Sequence, residues 1–405
     1  MNSGDTAWIL TSTIFVLFMT LPGIAMFYGG LMHSRSVLSV MMQCFSITSI
    51  STLLWLYIGY ALAFGDSVGG VIGSIENVFF VGLADGGSQN GVPDIAWAVF
   101  HMTFAILTPA LIVGSYTERI KFPAVLVFSA LWSTLVYAPI CHWVWGGGWL
   151  SEIGIMDSAG GVTLHVSVGI AGLIAAIVIG KRLAFPSELP EPHNPGLAAT
   201  GVGMLWIGWL ALNGGMQVFA GREPGISVAV THIAAAAAVI TWMTVQWIME
   251  RRPTLVGTAT GAIAGLAIAT PASAFVSPLS GLVLGAIAGI VCYFAVGVVK
   301  NRFNIDDSMD VFAVHGVGGI LGVLLTAILA HAALGGSGYI EENRQLLTQL
   351  GVQALAIVAV AAWTGIVTFV LLKLTGALVK GARVDEMDEI VGLDIATQGE
   401  RGYDI

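Results

Sequence analysis

Charged residues are scarce in this 405-residue chain, where Asp, Glu, Lys and Arg together make up only 10%. Soluble globular domains carry about 25%. The sequence also lacks any long run of one charge, although its formal net charge is −9, so a nucleic-acid partner is not expected. With 56% hydrophobic residues and a mean hydropathy of +0.88, the composition is that of an integral membrane protein.

Cysteine and the common catalytic motifs are equally sparse. Cys44, Cys141 and Cys292 lie far apart in apolar runs without metal-ligand spacing, so we interpret them as small buried hydrophobic residues. The chain has no P-loop, no nucleophile elbow and no HExxH helix, so we expect neither an enzyme nor an ATP-driven pump, and no cofactor. No basic segment precedes the first apolar run, which predicts a permanent helix rather than a cleaved signal peptide.

Apolar sequence is what the chain has in abundance. Eleven stretches approach or exceed the length of about 20 residues that a helix needs to cross a bilayer. They lie at 6–30, 38–64, 94–114, 122–145, 159–180, 196–218, 225–249, 254–270, 275–299, 311–334 and 347–379. The 52 glycines have no collagen period and suit helices that pack closely in a membrane. The sequence therefore predicts an all-α integral membrane protein with eleven transmembrane helices.

Basic residues between these stretches are confined almost entirely to alternate loops. One set of loops holds Arg35, Arg119, Lys121, Lys181, Arg182, Arg251, Arg252, Lys300 and Arg302. The opposite set holds only Arg222 and Arg344. The positive-inside rule assigns the first set to the cytoplasm, which predicts the N-terminus outside and the C-terminus inside. An odd number of spans requires the same arrangement.

Two segments repeat one pattern around a histidine. "HVSVGIAG" at His165 and "HGVGGILG" at His315 both read His-x-x-x-Gly-Ile-x-Gly, and each histidine follows an aspartate, Asp157 or Asp307, by eight residues. The segments fall in an odd and an even span, which cross the membrane in opposite directions. A second echo joins "FYGGLM" at the end of span one to "LNGGMQ" at the end of span six. We therefore predict an inverted five-helix repeat plus a final long helix, an architecture whose substrate path lies between the halves. These parts are residues 6–180, 196–334 and 347–379.

The repeated histidines are candidates for function. An ionisable side chain inside a membrane is costly and usually faces the protein interior or a water cavity. One such histidine is commonly a neutral imidazole bonded to a carbonyl, but two in symmetric positions favour a functional pair. Since a two-fold axis brings equivalent positions together, His165 and His315 are expected to meet and share one proton. The glycines four and seven residues after each histidine share its face and leave room for the other helix. Two imidazoles alone make a poor metal site.

Further candidate residues lie near the predicted outer end. Asp157 precedes span five as a helix N-cap, and a carboxylate at the mouth of a pore also attracts cations. Phe100 and Phe104 share a face of span three, and Trp145 closes span four. Such aromatics are most often core or interface residues, but ring faces also hold small cations. Aromatic faces outside and imidazoles inside suit ammonium, whereas potassium and sodium would require a cage of oxygens.

At this point the sequence resembles the ammonium transporter family (Amt/Mep/Rh), in particular its bacterial Amt branch. The matching segments, in order, are "PGIAMFYGGL", "FAILTPALIVGSYTERIKF", "WGGGWL", "DSAGGVTLHVSVGIAGL", "DDSMDVFAVHGVGGI" and "EIVGLDIATQGERGYDI". The resemblance covers nearly the whole chain. It implies a homotrimer in the cell inner (plasma) membrane, with one pore in each subunit and ammonium as substrate.

The resemblance also implies residue roles. Trp145 and Phe104 would form the outer ammonium site and Phe100 part of the gate beneath it. His165 and His315 would be the paired pore histidines. The remaining roles are those of Asp157 in recruiting and deprotonating ammonium, and of Phe27 and Trp209 in lining the lower path. Ammonium would lose its proton outside, ammonia would cross the hydrophobic pore, and the proton would cross by water and the histidine pair, so that net charge moves.

The sequence departs from the family at three positions, two near the predicted outer site and gate and one in the C-terminal tail. Leu212 stands where the family usually has a second gate aromatic, and Met216 where the outer site has a serine. A leucine offers no ring face, and a thioether is a weak acceptor, so we expect weaker ammonium binding or a wider pore. The resemblance implies a PII-type signal protein as a partner at the cytoplasmic face, and Gln398 replaces a histidine common in the tail that would receive it.

The sequence thus divides into a transporter domain, 1–380, and a cytoplasmic regulatory tail, 381–405. Two alternatives to an electrogenic ammonium transporter stay open. One is an ammonium-sensing receptor that transports little and signals through the tail, and the other is an Rh-like channel for ammonia or carbon dioxide. A net current upon ammonium addition would distinguish the electrogenic transporter from both alternatives.

Overall fold

The computed structural model describes residues 1–84, 87–89, 91–187, 191–340 and 344–403, and long apolar helices dominate it. We number them α1 to α11, with bounds Ser3–Leu31, Val37–Phe64, Asp94–Ser115, Phe122–Glu152, Gly161–Ile179, Pro195–Gly215, Arg222–Glu250, Leu255–Ala269, Pro278–Arg302, Phe312–Leu329 and Leu346–Leu378. Within the described residues, 10 have the length and hydropathy of membrane spans, and α8 is a shorter apolar helix. The predicted all-α membrane fold is confirmed, with helix ends that shift by a few residues.

Helix α8 is short because protein surrounds it. Its 15 residues extend about 22 Å at 1.5 Å per residue, less than the roughly 30 Å hydrocarbon core. Ten of its residues, Ala259 and all of 261–269, are buried, so little of it needs to face lipid. It packs between α7 and α9, its neighbours in the chain.

The loop between α2 and α3 carries the described β-structure. Strand β1 (Ser67–Val68) pairs antiparallel with β2 (Ile72–Gly73), and β3 (Ser88–Gln89) with β4 (Val92–Pro93). A short 3-10 turn, Val78–Phe80, lies between the two hairpins. Another, Ala332–Leu334, lies between α10 and α11.

Equivalent helices of the two predicted halves contact each other. Helix α1 packs on α6, and α5 packs on α10, as the predicted inverted repeat would require of helices close to its two-fold axis. Helix α11, which lies outside the repeat, packs on both α5 and α10. The two histidine-bearing helices are therefore held together at the centre and supported from behind by the last helix.

The tail packs on the end of the molecule where the basic loops gather. A short helix, α12 (Glu386–Val391), is held by Arg35, whose Nη1 donates to the Ile390 carbonyl at 2.8 Å. Asp394 then accepts hydrogen bonds from the backbone N–H groups of Leu38 and Ser39, at 3.1 and 2.8 Å, in the first turn of α2. A carboxylate is favoured at a helix N-terminus, where N–H groups are unpaired. This contact fixes the tail to the helical body.

Candidate conduction pathway

His165 and His315 meet at the centre of the molecule. Their Nδ1 atoms are 3.2 Å apart, their ring centroids 5.2 Å apart, and their ring planes are 17° from parallel. The side chains are 0% and 4% exposed. Because a neutral imidazole has one donor and one acceptor nitrogen, one ring donates and the other accepts. The Nε2 of His165 has no hydrogen-bond partner among the described residues. This nitrogen is therefore available to bind a proton or a small molecule.

Both histidines lie where their helices open into a wider turn. His165 belongs to the π-helical segment Gly161–Val166 and His315 to Phe312–Gly316. Such turns are rare and are frequent at functional sites. In α5 the wide turn starts after Gly160, whose φ of 118° suits a residue without Cβ. The sequence repeat indicated the histidines but not this local geometry.

Glycine brings the two helices into backbone contact. A Cβ on Gly169 would lie 2.2 Å from the Cα of Gly316, and a Cβ on Gly319 would lie 2.6 Å from the Cβ of His165. Gly172 faces Val311, the residue directly before α10. These contacts agree with the predicted role of the glycines that follow the histidines. Gly322 is the exception, because it faces the Ile268 carbonyl at the end of α8 and makes room for that helix instead.

Trp209 covers the pair on one side. Its ring plane is 18° from that of His165 and 1° from that of His315, with centroids 5.3 and 6.3 Å away. The indole Nε1 donates to the hydroxyl of Thr270 at 2.8 Å, which fixes the ring orientation. Phe27 lies apart from this stack, beside Tyr28, and lines a cleft of about 190 Å³ at the basic end together with Lys300.

The outer aromatic residues form a second cluster. Phe100 and Phe104 are both fully buried, with centroids 5.3 Å apart, and Phe104 meets Trp145 edge-to-face at 5.7 Å. Trp145 is only partly buried, and its indole donates to the Asp157 carbonyl at 3.1 Å. The two rings predicted to bind ammonium, Phe104 and Trp145, thus lie side by side.

Leu212 lies in the last turn of α6, and Met216 directly follows that helix. Leu212 is fully buried and Met216 is partly buried. Gly215 lies directly against Phe100, the ring predicted to form part of the gate, since a Cβ there would be 2.7 Å from Cζ of Phe100. The segment that carries both departures from the family therefore borders the gate.

Asp157 is bound to the start of α5. Its carboxylate accepts hydrogen bonds from the backbone N–H groups of Gly160 and Val162 at 2.9 Å, from that of Thr163 at 3.3 Å, and from that of Gly161. Burial raises the pKa of this carboxyl, and the four backbone hydrogen bonds act against that rise. The predicted helix cap is present. Both carboxylate oxygens are bound by the start of the helix, and the backbone carbonyl of Asp157 accepts the indole hydrogen bond of Trp145.

Asp307, the equivalent residue of the second half, has a different environment. One of its oxygens accepts from the Phe312 N–H at 2.7 Å, whereas Oδ1 has no partner among the described residues. Burial, followed by the charge of Asp310, raises the pKa of Asp307 to about 7. The repeat spacing identified this aspartate, but not its free oxygen.

His101 is a residue that the sequence reasoning missed. It is fully buried within the aromatic cluster, and neither ring nitrogen has a described partner. The signal was present, since His101 is a titratable residue in an apolar run between Phe100 and Phe104. Unlike His165 and His315, it belongs to neither copy of the repeated histidine pattern.

The described residues contain no group of three or more His, Cys, Asp or Glu side chains that could hold a metal ion. The three cysteines are buried and unpaired, in keeping with their apolar surroundings.

Comparison with known proteins identifies the family. The sequence profile of the "Ammonium Transporter Family" matches residues 7–403. The chain is 40% identical to an ammonium transporter of Aquifex aeolicus, over 100% of this chain and 94% of that one. It is 39% identical to an ammonium transporter of Bacillus subtilis, over 100% and 99%.

Solved structures agree with the sequence comparison. Mep2 of Saccharomyces cerevisiae superposes with a TM-score of 0.86 at 34% identity, covering 95% of this chain and 88% of that one. A "Sensor Amt Protein" superposes with a TM-score of 0.91 at 29% identity, covering 98% of each. The chain therefore belongs to the ammonium transporter family, and it is a multi-pass transporter of the cell membrane rather than an enzyme.

Proposed function

We propose that this protein transports ammonium electrogenically: the outer aromatic cluster binds ammonium, ammonia crosses the apolar pore, and the proton passes by way of His165 and His315. The observation that carries this proposal is the 3.2 Å contact between the two buried Nδ1 atoms. Burying two ionisable side chains inside a membrane costs free energy, and residues of this kind are usually functional. Its shared hydrogen bond lets a proton bound on one ring be released from the other.

The direction of the pathway follows from charge. The loops that contain Arg35, Arg119 and Arg182 gather at one end with the tail, and we assign this end to the cytoplasm by the positive-inside rule. The Trp145 cluster then lies outside and the cleft lined by Phe27 lies inside. This assignment gives α1 an outside N-terminus and α11 an inside C-terminus.

Selection of ammonium would begin at the outer rings. Faces of Trp145 and Phe104 attract a cation through their quadrupoles, most strongly where water is excluded. Phe100 and Phe104 are fully buried, so the substrate would pass them only when a ring moves. An ion that has lost its proton crosses this apolar barrier at far lower cost than a charged one. The gate therefore favours ammonia over potassium and sodium, which cannot deprotonate.

The proton requires its own polar route. Asp157 lies at the outer end of α5 and would lower the energy of positive charge at that end, without itself needing to take the proton. His165 follows eight residues later, with its Nε2 unpartnered, and passes the proton to His315. Asp307, with its free Oδ1, stands in the equivalent place on the cytoplasmic side.

Proteoliposomes test this proposal. Ammonium pulses should give a saturable transient current, and equal sodium pulses should give none. A correctly folded protein that gives no current upon ammonium addition would contradict electrogenic transport. Swelling by ammonia without current would instead support a gas channel.

An ammonium-sensing receptor is the second candidate function. The likeness to a "Sensor Amt Protein" and the tail fixed by Asp394 at the basic end favour it. In that case ammonium would bind saturably without comparable current, and binding would change the exposure of the tail.

We also propose that residues 381–405 act as a regulatory segment and that the chain forms a homotrimer, as the family resemblance implies. The tail contacts the first cytoplasmic loop through Arg35 and the second through Val384, whose N–H donates to the Arg119 carbonyl at 3.1 Å. A PII-type protein that displaced the tail would alter both loops. Light scattering of the purified protein tests the trimer, and co-purification with a PII-type protein tests the partner.

A further inference from the structure

We propose that His101 is a substrate-binding residue of the outer site and supplies the hydrogen-bond acceptor that Met216 cannot. The inference rests on the proposed transport function. It adds to the outer site a residue that neither the sequence pattern nor the family resemblance had indicated.

His101 is part of the ring cluster that would bind the ion. Its centroid lies 5.5 Å from that of Phe104 and 5.6 Å from that of Trp145, and those two rings are 5.7 Å from each other. The three rings therefore contact one another pairwise. A cation bound against Phe104 and Trp145 would lie beside the imidazole as well.

The rest of its surroundings are apolar. Phe64, Trp97 and Phe100 enclose the imidazole, with centroids 4.6, 4.3 and 5.7 Å away. Neither Nδ1 nor Nε2 has a hydrogen-bond partner among the described residues. By contrast, His142 on α4 bonds both its nitrogens, to Ser67 and to the Ala63 carbonyl. A buried imidazole without partners destabilises the folded protein, and such orphan groups call for a ligand or a mechanistic use.

Ammonium could supply the hydrogen-bond donors that the His101 ring nitrogens lack. Ammonium has four N–H donors and no acceptor, and ring faces offer it attraction but no lone pair. A neutral imidazole carries one lone pair in the ring plane. Met216 at the edge of the site offers only a thioether, a weak acceptor. His101 is the described side chain in this cluster that can accept a strong hydrogen bond from the ion once the rings part.

The test compares ammonium-evoked currents of His101→Phe and His101→Gln with the native protein. Phenylalanine keeps the ring and removes the nitrogens, so we expect the ammonium concentration for half-maximal current to rise roughly tenfold, as for loss of a hydrogen bond to a charged partner. Glutamine keeps an acceptor and should stay within about threefold of native. His232→Phe is the matched control, because His232 is exposed on α7 and bonds Trp206 away from the cluster. It should leave the current unchanged.

A second comparison uses the residue that His101 is proposed to replace. Adding Met216→Ser to His101→Phe should restore most of the lost affinity, since a hydroxyl would return an acceptor to the site. If His101→Phe does not reach the membrane folded, His101→Leu takes its place in both comparisons.

The outcomes separate this inference from the proposed function. No current from the native protein contradicts electrogenic transport itself. A native current with an unchanged half-saturating concentration in His101→Phe overturns the role of His101 while leaving transport intact. Equal losses in the phenylalanine and glutamine variants assign His101 to packing and also overturn the inference.

Discussion

Substituting Gly169 by alanine tests whether the close approach of α5 and α10 is needed for transport. The added Cβ would lie 2.2 Å from the Cα of Gly316 and 2.4 Å from its backbone nitrogen. Carbon–carbon contacts settle at about 3.5–4.0 Å, so the two backbones would have to separate by roughly 1.5 Å. Neither neighbour is a flexible side chain that could turn away.

The histidine pair lies beside this contact, because His165 is one helical turn before Gly169 and His315 directly precedes Gly316. Its Nδ1–Nδ1 distance is 3.2 Å, already near the upper end of about 3.2 Å for a hydrogen bond. A separation of even half the expected movement would break it. We therefore expect Gly169→Ala to lower the ammonium current about tenfold or more, the scale of loss that follows a misplacement of about 1 Å in an active site. The protein should still fold, because overpacking costs about 1–3 kcal/mol.

The assay is transient current in proteoliposomes at equal protein content, with folding checked by size-exclusion chromatography. Gly203→Ala is the matched control, since a Cβ on this α6 glycine would meet nothing within 4 Å. It should behave like the native protein. A full current from Gly169→Ala, with a native half-saturating concentration, would refute the reasoning that links helix approach to proton transfer.

Three further predictions use the outer site, the buried aspartate and the tail. Met216→Ser should lower the ammonium concentration for half-maximal current, because a hydroxyl replaces a weak acceptor; no change, or weaker binding, counts against this view of the site. Asp307→Asn should raise the free energy of unfolding at both pH values, and the gain at pH 8 should exceed the gain at pH 5 by about 2–3 kcal/mol. Detergent-induced unfolding measures both. The reason is that a folded-state pKa of about 7, against about 3.9 when unfolded, makes ionisation costly as pH rises; an equal effect at both pH values would contradict it. Asp394→Asn weakens the charged bonds to Leu38 and Ser39, so limited proteolysis should release the tail faster than in the native protein, and an unchanged cleavage rate would argue against this attachment.

Much of the fold was predictable because each membrane-spanning helix requires a long apolar stretch that can be found in the sequence. Apolar length gave the eleven helices, and α5, predicted at 159–180, is found at Gly161–Ile179. The shared pattern around His165 and His315 led to the expectation that the two would meet, and the two rings do meet. The predicted inverted repeat led to an expectation that neither histidine alone would give, since a two-fold axis brings equivalent positions together.

The remaining details depend on tertiary contacts that spacing does not encode. Gly322 follows its histidine as Gly172 does, yet it faces α8 rather than the partner helix, because the two halves have different neighbours. Asp157 and Asp307 have the same spacing to histidine, but one bonds four backbone N–H groups and the other leaves an oxygen free. His101 has no repeat partner, so its place among the rings emerges only once α2, α3 and α4 are packed.

The measurement that tests the account most directly is the transient current of the double variant His165→Ala/His315→Ala beside the native protein, for ammonium and for sodium pulses. The account predicts that the native protein carries a saturable ammonium current with no comparable sodium current, and that the double variant, correctly folded, loses either the current or its selectivity. A double variant that keeps both the native current and the native selectivity would place the proton path elsewhere and contradict the central claim.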